Sequence, residues 1–73
     1  MSKYKELLIE IMELHLRGTG VMNSDSFNTL IEYAPLVAEE VSGAFGVDTK
    51  GFRQIIEDKS VTLVDIKRKV LNL

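Results

Sequence analysis

Residues 27–45 read FNTLIEYAPLVAEEVSGAF, and this stretch decides the fold. Projected at the helical angle, its apolar and polar side chains separate onto opposite sides of one helix. The apolar side holds Phe27, Leu30, Ile31, Ala34, Val37, Ala38, Val41 and Phe45. A run of capping residues at 23–26 precedes the stretch, and Gly46 follows it in the position where a left-handed residue ends a helix. Residues 23–46 are therefore predicted to form a long amphipathic helix.

Pro35 lies on the polar side of this helix and allows two interpretations. A proline inside a helix removes one backbone hydrogen bond, at a cost of about 3 kcal/mol. A proline is also favourable at the first position of a new helix, and it biases Ala34 away from helical angles. The chain therefore forms either two helices or one helix kinked at Pro35. We favour the kinked helix, because two separate helices have no reason to share one apolar phase.

The remaining elements are also predicted to be helices. The first spans residues 2–17, with Ser2 as its cap and Gly18 at its end. A short helix occupies residues 47–59, capped by Asp48 or Thr49, and it is weakened by Gly51 by about 1 kcal/mol relative to alanine.

The last helix spans residues 60–73, and Thr62 with Asp65 approximates a capping box at its start. No strand-like alternation extends beyond a few residues. The sequence predicts an all-α domain over residues 1–73, a small orthogonal or up-down bundle of four or five helices whose long second helix is kinked at Pro35.

Composition excludes several classes of protein. The chain has 73 residues, no cysteine, one histidine and a formal net charge of −2. Disulfides and thiolate chemistry are absent, and a zinc site would need carboxylates or ligands from another chain. No apolar run is long enough to cross a bilayer. Glu10 and Glu13 in the first helix are incompatible with a secretory signal, so we expect a cytoplasmic protein.

Side chains that could carry chemistry have simpler structural interpretations. His15 is the one side chain that titrates near neutral pH, but no nucleophile is placed to partner it. The glutamates fall on predicted solvent-facing stripes. Basic residues 67–69 lie near a helix C-terminus, where positive charge is common, and the net negative charge of the chain argues against nucleic-acid binding as its function. We therefore expect no enzyme, no catalytic residue, no metal and no cofactor.

A resemblance to acyl and peptidyl carrier proteins provides the alternative. Asp25-Ser26-Phe27, opening the long helix, looks like the Asp-Ser-Leu motif of that family, and residues 60–66 are similar to the start of its last helix. The resemblance implies a four-helix domain carrying a phosphopantetheine arm on Ser26, which would tether a thioester. The preferred interpretation of Ser26 is a helix-capping residue, because aspartate and serine both favour helix starts.

The first helix carries apolar residues over more than half of its circumference, which suits a helix covered on two sides. Leu36 also lies on the polar side of the long helix. We therefore expect a small non-enzymatic interaction module, a regulator, inhibitor or adaptor that binds another protein or itself as a homodimer. Size and character suggest a phage or mobile-element protein. The expected interaction residues are Tyr4, Leu8, Met12, His15 and Leu36.

Overall fold

The computed structural model describes residues 3–72, and within them the chain is helical, as predicted. The helices are α1 (Lys3–His15), α2 (Ser24–Tyr33), α3 (Pro35–Ala44), α4 (Thr49–Asp58) and α5 (Leu63–Leu71). Two short strands, β1 (Val21–Met22) and β2 (Val61–Thr62), lie in the connections before α2 and α5. The expected cap Ser2 lies outside the described residues.

Ala34 corrects the prediction of one kinked helix. Its backbone angles, φ −147° and ψ 66°, are outside the helical region, and Pro35 is the first residue of α3. The Ala34 N–H still donates to Leu30 O at 2.8 Å, and its carbonyl accepts from Ala38 N at 3.1 Å. The chain therefore forms two helices that meet at one residue. They share an apolar phase because both pack on the same core, with Leu30 and Ala38 buried.

The strands β1 and β2 form a minimal antiparallel ladder that the sequence did not predict. Val21 pairs with Thr62 and Met22 with Val61. Leu63 N adds a hydrogen bond to Gly20 O at 2.8 Å. Two residues are too few to show alternation, but Met22 and Val61 are buried, so the ladder joins the start of α2 to the start of α5 through the core.

Aromatic rings join α2, α3 and α4 at the centre of the core. Phe27 meets Phe52 edge-on, with ring centroids 4.9 Å apart and an interplanar angle of 66°. Phe45 packs on the same Phe52 ring at 4.9 Å. Both geometries are favourable for aromatic pairs, and Phe27 and Phe52 have no exposed surface.

The helix ends follow the expected capping chemistry. Asn23 caps α2, its Oδ1 accepting from Ser26 N at 2.9 Å, so Ser26 is the third helical residue and not the cap. The capping box of Thr62 and Asp65 is present at the start of α5. Gly46 has a φ of 78° after the end of α3, as a left-handed terminator requires.

Gly51 has a packing role in addition to the helix-weakening effect predicted from its type. The cap Asp48 accepts from Gly51 N at 2.8 Å, which draws residues 47 and 48 over the first turn of α4. A Cβ on Gly51 would lie 2.8 Å from Val47 Cβ, closer than such atoms can pack. The first turn of α4 in this conformation therefore requires glycine.

Candidate interaction surface

Helix α1 presents apolar side chains on two sides. Its inner face, Leu8, Ile9 and Met12, belongs to the core together with Leu16 just after the end of the helix, and each of these residues is at most 6% exposed. On another side, Tyr4, Leu7 and Leu14 are 53%, 54% and 68% exposed, and Ile11 between them is half-buried. We call Tyr4, Leu7, Ile11 and Leu14 the outer stripe.

The outer stripe has the spacing of a helix–helix contact. Its members are three, four and three residues apart, so they follow one line along α1. This is the pattern of alternate apolar positions that accept side chains from a second helix in knobs-into-holes packing. One side of the wide apolar arc of α1 therefore packs in the core. Among residues 3–72 the outer stripe stays exposed, apart from the half-buried Ile11.

The structure places some of the residues expected to mediate interaction in the core and others on the surface. Leu8 and Met12 are in the core and cannot contact a partner while the fold is intact, which corrects that part of the prediction. Tyr4 is exposed at one end of the outer stripe, and Leu36 on α3 is 73% exposed. Sequence reasoning missed Leu7 and Leu14. Their spacing from Tyr4 and Ile11 was a signal, but Leu8 and Met12 have a comparable helical pattern.

His15 is half-buried at the end of α1, and its Nε2–H donates to the backbone carbonyl of Ser26 at 2.7 Å. This bond ties the C-terminal end of α1 to the first turn of α2. His15 is therefore a positioning residue that holds α1, and its ring edge is occupied by a contact within the chain.

Tyr4 makes the corresponding contact at the other end of α1. The Tyr4 side chain lines the same surface pocket as Glu40 of α3, near enough for the Glu40 carboxylate to act on the Tyr4 hydroxyl. Partial burial raises the pKa of Tyr4, and the negative charge and the hydrogen bond of Glu40 raise it further. The hydrogen bond of His15 holds the C-terminal end of α1 to α2, and the packing of α1 on α5 and the core gives the outer stripe a defined position.

Charged residues border the outer stripe. Lys3 and Glu10 are exposed and seven residues apart, on the side of the outer stripe away from His15, and the exposed Arg17 follows in the turn two residues after the end of α1. The charges of the three residues alternate in sign along the chain. Such a border is typical of the flanking positions of paired helices, where opposite charges select the register of the partner.

Other exposed apolar side chains lie around the α2–α3 junction and on α5. Tyr33 and Leu36 flank Ala34, and Val64 is 55% exposed near the start of α5. Val64 matches Leu7 in exposure but stands alone on its helix surface, so it is a natural control for changes in the outer stripe.

Ser26, the residue implied by the resemblance to carrier proteins, lies in the first turn of α2 and is half-buried. Its backbone N–H is bound by Asn23 and its carbonyl by His15. Among residues 3–72 there is no group of three or more histidine or carboxylate side chains arranged to hold a metal ion. In the same part of the chain, no helix combines the length and hydropathy needed to span a membrane.

Comparison of the chain with models of known protein families, with curated proteins and with solved structures gave no match.

Proposed function

We propose that this protein is a small non-enzymatic helical interaction module, a regulator, inhibitor or adaptor, that self-associates through the outer stripe of α1. The observation that supports this is the stripe itself: Tyr4, Leu7 and Leu14 are more than half exposed at helix-pairing spacing. A domain of this size has little interior, and covering a second apolar face is a common way to gain stability.

The charged border favours one arrangement of the two copies. If two α1 helices lie antiparallel with full overlap, Glu10 of one copy faces Glu10 of the other, which is repulsive. If one helix is displaced by a heptad, Glu10 of each copy faces Arg17 of the other. Ile11 and Leu14 then pack across the centre of the contact. The proposed pair is this displaced antiparallel arrangement.

The first test removes the apolar contact. Leu7→Gln combined with Leu14→Gln changes two exposed side chains, so the variant should keep its fold by circular dichroism. In sedimentation equilibrium the variant should be a monomer where the wild type is a dimer. Val64→Gln removes a side chain of equal exposure from α5 and should leave the dimer intact. A wild-type protein that is monomeric at millimolar concentration contradicts the proposal, as does equal loss in both variants.

The second test addresses the register. Glu10→Arg or Arg17→Glu alone should weaken the dimer, because each places like charges opposite each other, and the double exchange should restore it. Leu36→Glu tests whether the contact extends to α3, since Leu36 is exposed there. Single exchanges with no effect on association would rule out the displaced arrangement.

The carrier interpretation remains the alternative proposal, with a phosphopantetheine arm on Ser26. An intact denatured mass of the protein from its own host decides between the two, because the arm adds a covalent increment that Ser26→Ala abolishes. An unmodified mass together with a dimer supports the interaction module. A cytoplasmic location and a phage or mobile-element origin are part of the same proposal, and the origin rests on the size and character of the chain alone.

A further inference from the structure

A small pocket lies between the end of α4 and the last turn of α5, and its volume is about 210 Å³. Its lining includes three basic side chains, Lys59, Arg68 and Lys69, together with Ser60, Phe45 and Asp65. Lys59 comes from the C-terminal cap of α4 and the other two cations from α5, so two separate segments bring positive charge to one concave site.

Among residues 3–72, none of the three basic side chains of this pocket forms a contact ion pair with an acidic side chain. In residues 3–72 the salt bridge joins Lys67 to Glu13, at 3.5 Å, on a different side of α5 from the pocket. Asp65 is the one acid in the lining, and its carboxylate is held by the Thr62 N–H at 2.9 Å and the Thr62 hydroxyl at 3.1 Å. The hydrogen bonds from Thr62 lower the pKa of Asp65, and the charges of Arg68 and Lys59 lower it further. Three cations against this one carboxylate still leave the lining net positive, on a chain that is acidic overall.

Phe45 shapes the pocket and positions one of its cations. The Lys69 ammonium lies 5.9 Å from the Phe45 ring centroid, in a cation–π contact that holds it at the rim. The same ring packs against Phe52 at 4.9 Å. With Lys69 over the ring and Phe52 packed on it, Phe45 offers no free platform on which a nucleobase would stack.

We propose that this pocket binds a phosphate monoester group. Arginine presents paired N–H donors that match phosphate oxygens, lysines supply further charge, and the Ser60 hydroxyl adds a neutral donor. A cavity of about 210 Å³ has room for a phosphate group. Because Lys69 and Phe52 already contact the Phe45 ring, that ring leaves no face for a nucleobase attached to the phosphate. The site shares no residue with the outer stripe, so it stands independently of the proposed self-association.

Titration with inorganic phosphate, followed by amide NMR at constant ionic strength set with chloride, tests this site. Saturable shifts should appear at the amides of Lys59, Ser60, Arg68 and Lys69. Arg68→Gln should weaken binding about tenfold, the usual effect of losing a hydrogen bond between charged groups. Lys59→Gln should also weaken it, which guards against a local effect of the Arg68 change on α5. Lys67→Gln is the matched control, with the same loss of charge on the same helix, and its affinity should stay within about twofold of wild type.

Two further probes identify the source of the phosphate. O-phosphoserine should reproduce the shifts and serine should not, if a phosphate ester is the recognised group. Shifts that never saturate, or an equal loss in Lys67→Gln, would show a solvated basic surface and overturn the proposal. Shifts produced by a single-stranded oligonucleotide but not by phosphate would overturn it in favour of a nucleic-acid backbone.

Discussion

The two sides of α1 are chemically alike but occupy opposite environments. Leu7 is 54% exposed, whereas its neighbour Leu8 is 4% exposed. The inner side packs in the core, while the outer side carries the same residue types at helix-pairing spacing and is left uncovered by residues 3–72. The difference shows that on a helix apolar over more than half of its circumference, the packing of the other helices, and not residue type, decides which half becomes interior.

Replacing one large side chain by alanine on each side of α1 should produce the largest difference in the free energy of unfolding. Met12→Ala creates a cavity at a residue with no exposed surface and should lower the free energy of unfolding by about 2–5 kcal/mol. Leu14→Ala on the outer side should lower it by less than about 0.5 kcal/mol in the monomer. Urea unfolding at a protein concentration below the dimer range measures both.

A small domain has little stability to lose, so complete loss of cooperative unfolding in Met12→Ala also agrees with this expectation. Equal destabilisation by the two variants would mean that the outer side is packed in solution in a way the structure does not show.

His15 lies on α1 between its core side and the outer stripe. Replacing it should change the free energy of unfolding by an intermediate amount. His15→Ala removes the 2.7 Å hydrogen bond to the Ser26 carbonyl and should cost about 1 kcal/mol of unfolding free energy. Ser26→Ala is the control, because it retains the backbone carbonyl that accepts this bond and should change stability by much less. If Ser26→Ala costs as much as His15→Ala, the serine hydroxyl has a structural role beyond the observed bond.

Local chemistry made a large part of the fold predictable from sequence. The Thr62–Asp65 capping box, the Asp48 cap of α4 and the left-handed Gly46 depend on residues close together in the chain. Hydrophobic periodicity likewise predicted helices in the right regions. These features need no knowledge of what packs where.

Features that depend on distant contacts were not predictable. The break at Ala34 follows from the local effect of Pro35. The shared apolar phase nevertheless favoured a continuous helix in the prediction. That inference was wrong because two separate helices that pack on one core can keep the same phase. The β1–β2 pairing joins residues some forty positions apart with only two residues in each strand. The division of α1 into core and outer stripe likewise depends on where α2, α3 and α5 lie, so Leu7 and Leu14 were not identified as interaction residues.

The smallest effect concerns Tyr4, which begins the outer stripe and bonds to α3. Partial burial and Glu40 raise the pKa of Tyr4 above its usual value of 10.0, so the folded state favours the neutral phenol. The contribution of the neutral Tyr4 phenol to stability is therefore complete below the pKa of Tyr4 in the unfolded chain. It is lost as the pH rises through the raised pKa of Tyr4 in the folded protein. Tyr4→Phe should flatten the decline in unfolding free energy that begins as the pH approaches about 10, where an unshifted tyrosine ionises, and continues above it. Tyr33→Phe, which removes the same hydroxyl from a side chain that is 78% exposed, should retain the decline. Lysine deprotonation affects both variants alike, so a difference between them isolates the Tyr4–Glu40 contact. An unchanged slope in Tyr4→Phe would mean that the hydroxyl does not hold the N-terminal end of α1 to α3, and that the outer stripe is positioned by the core and His15 alone.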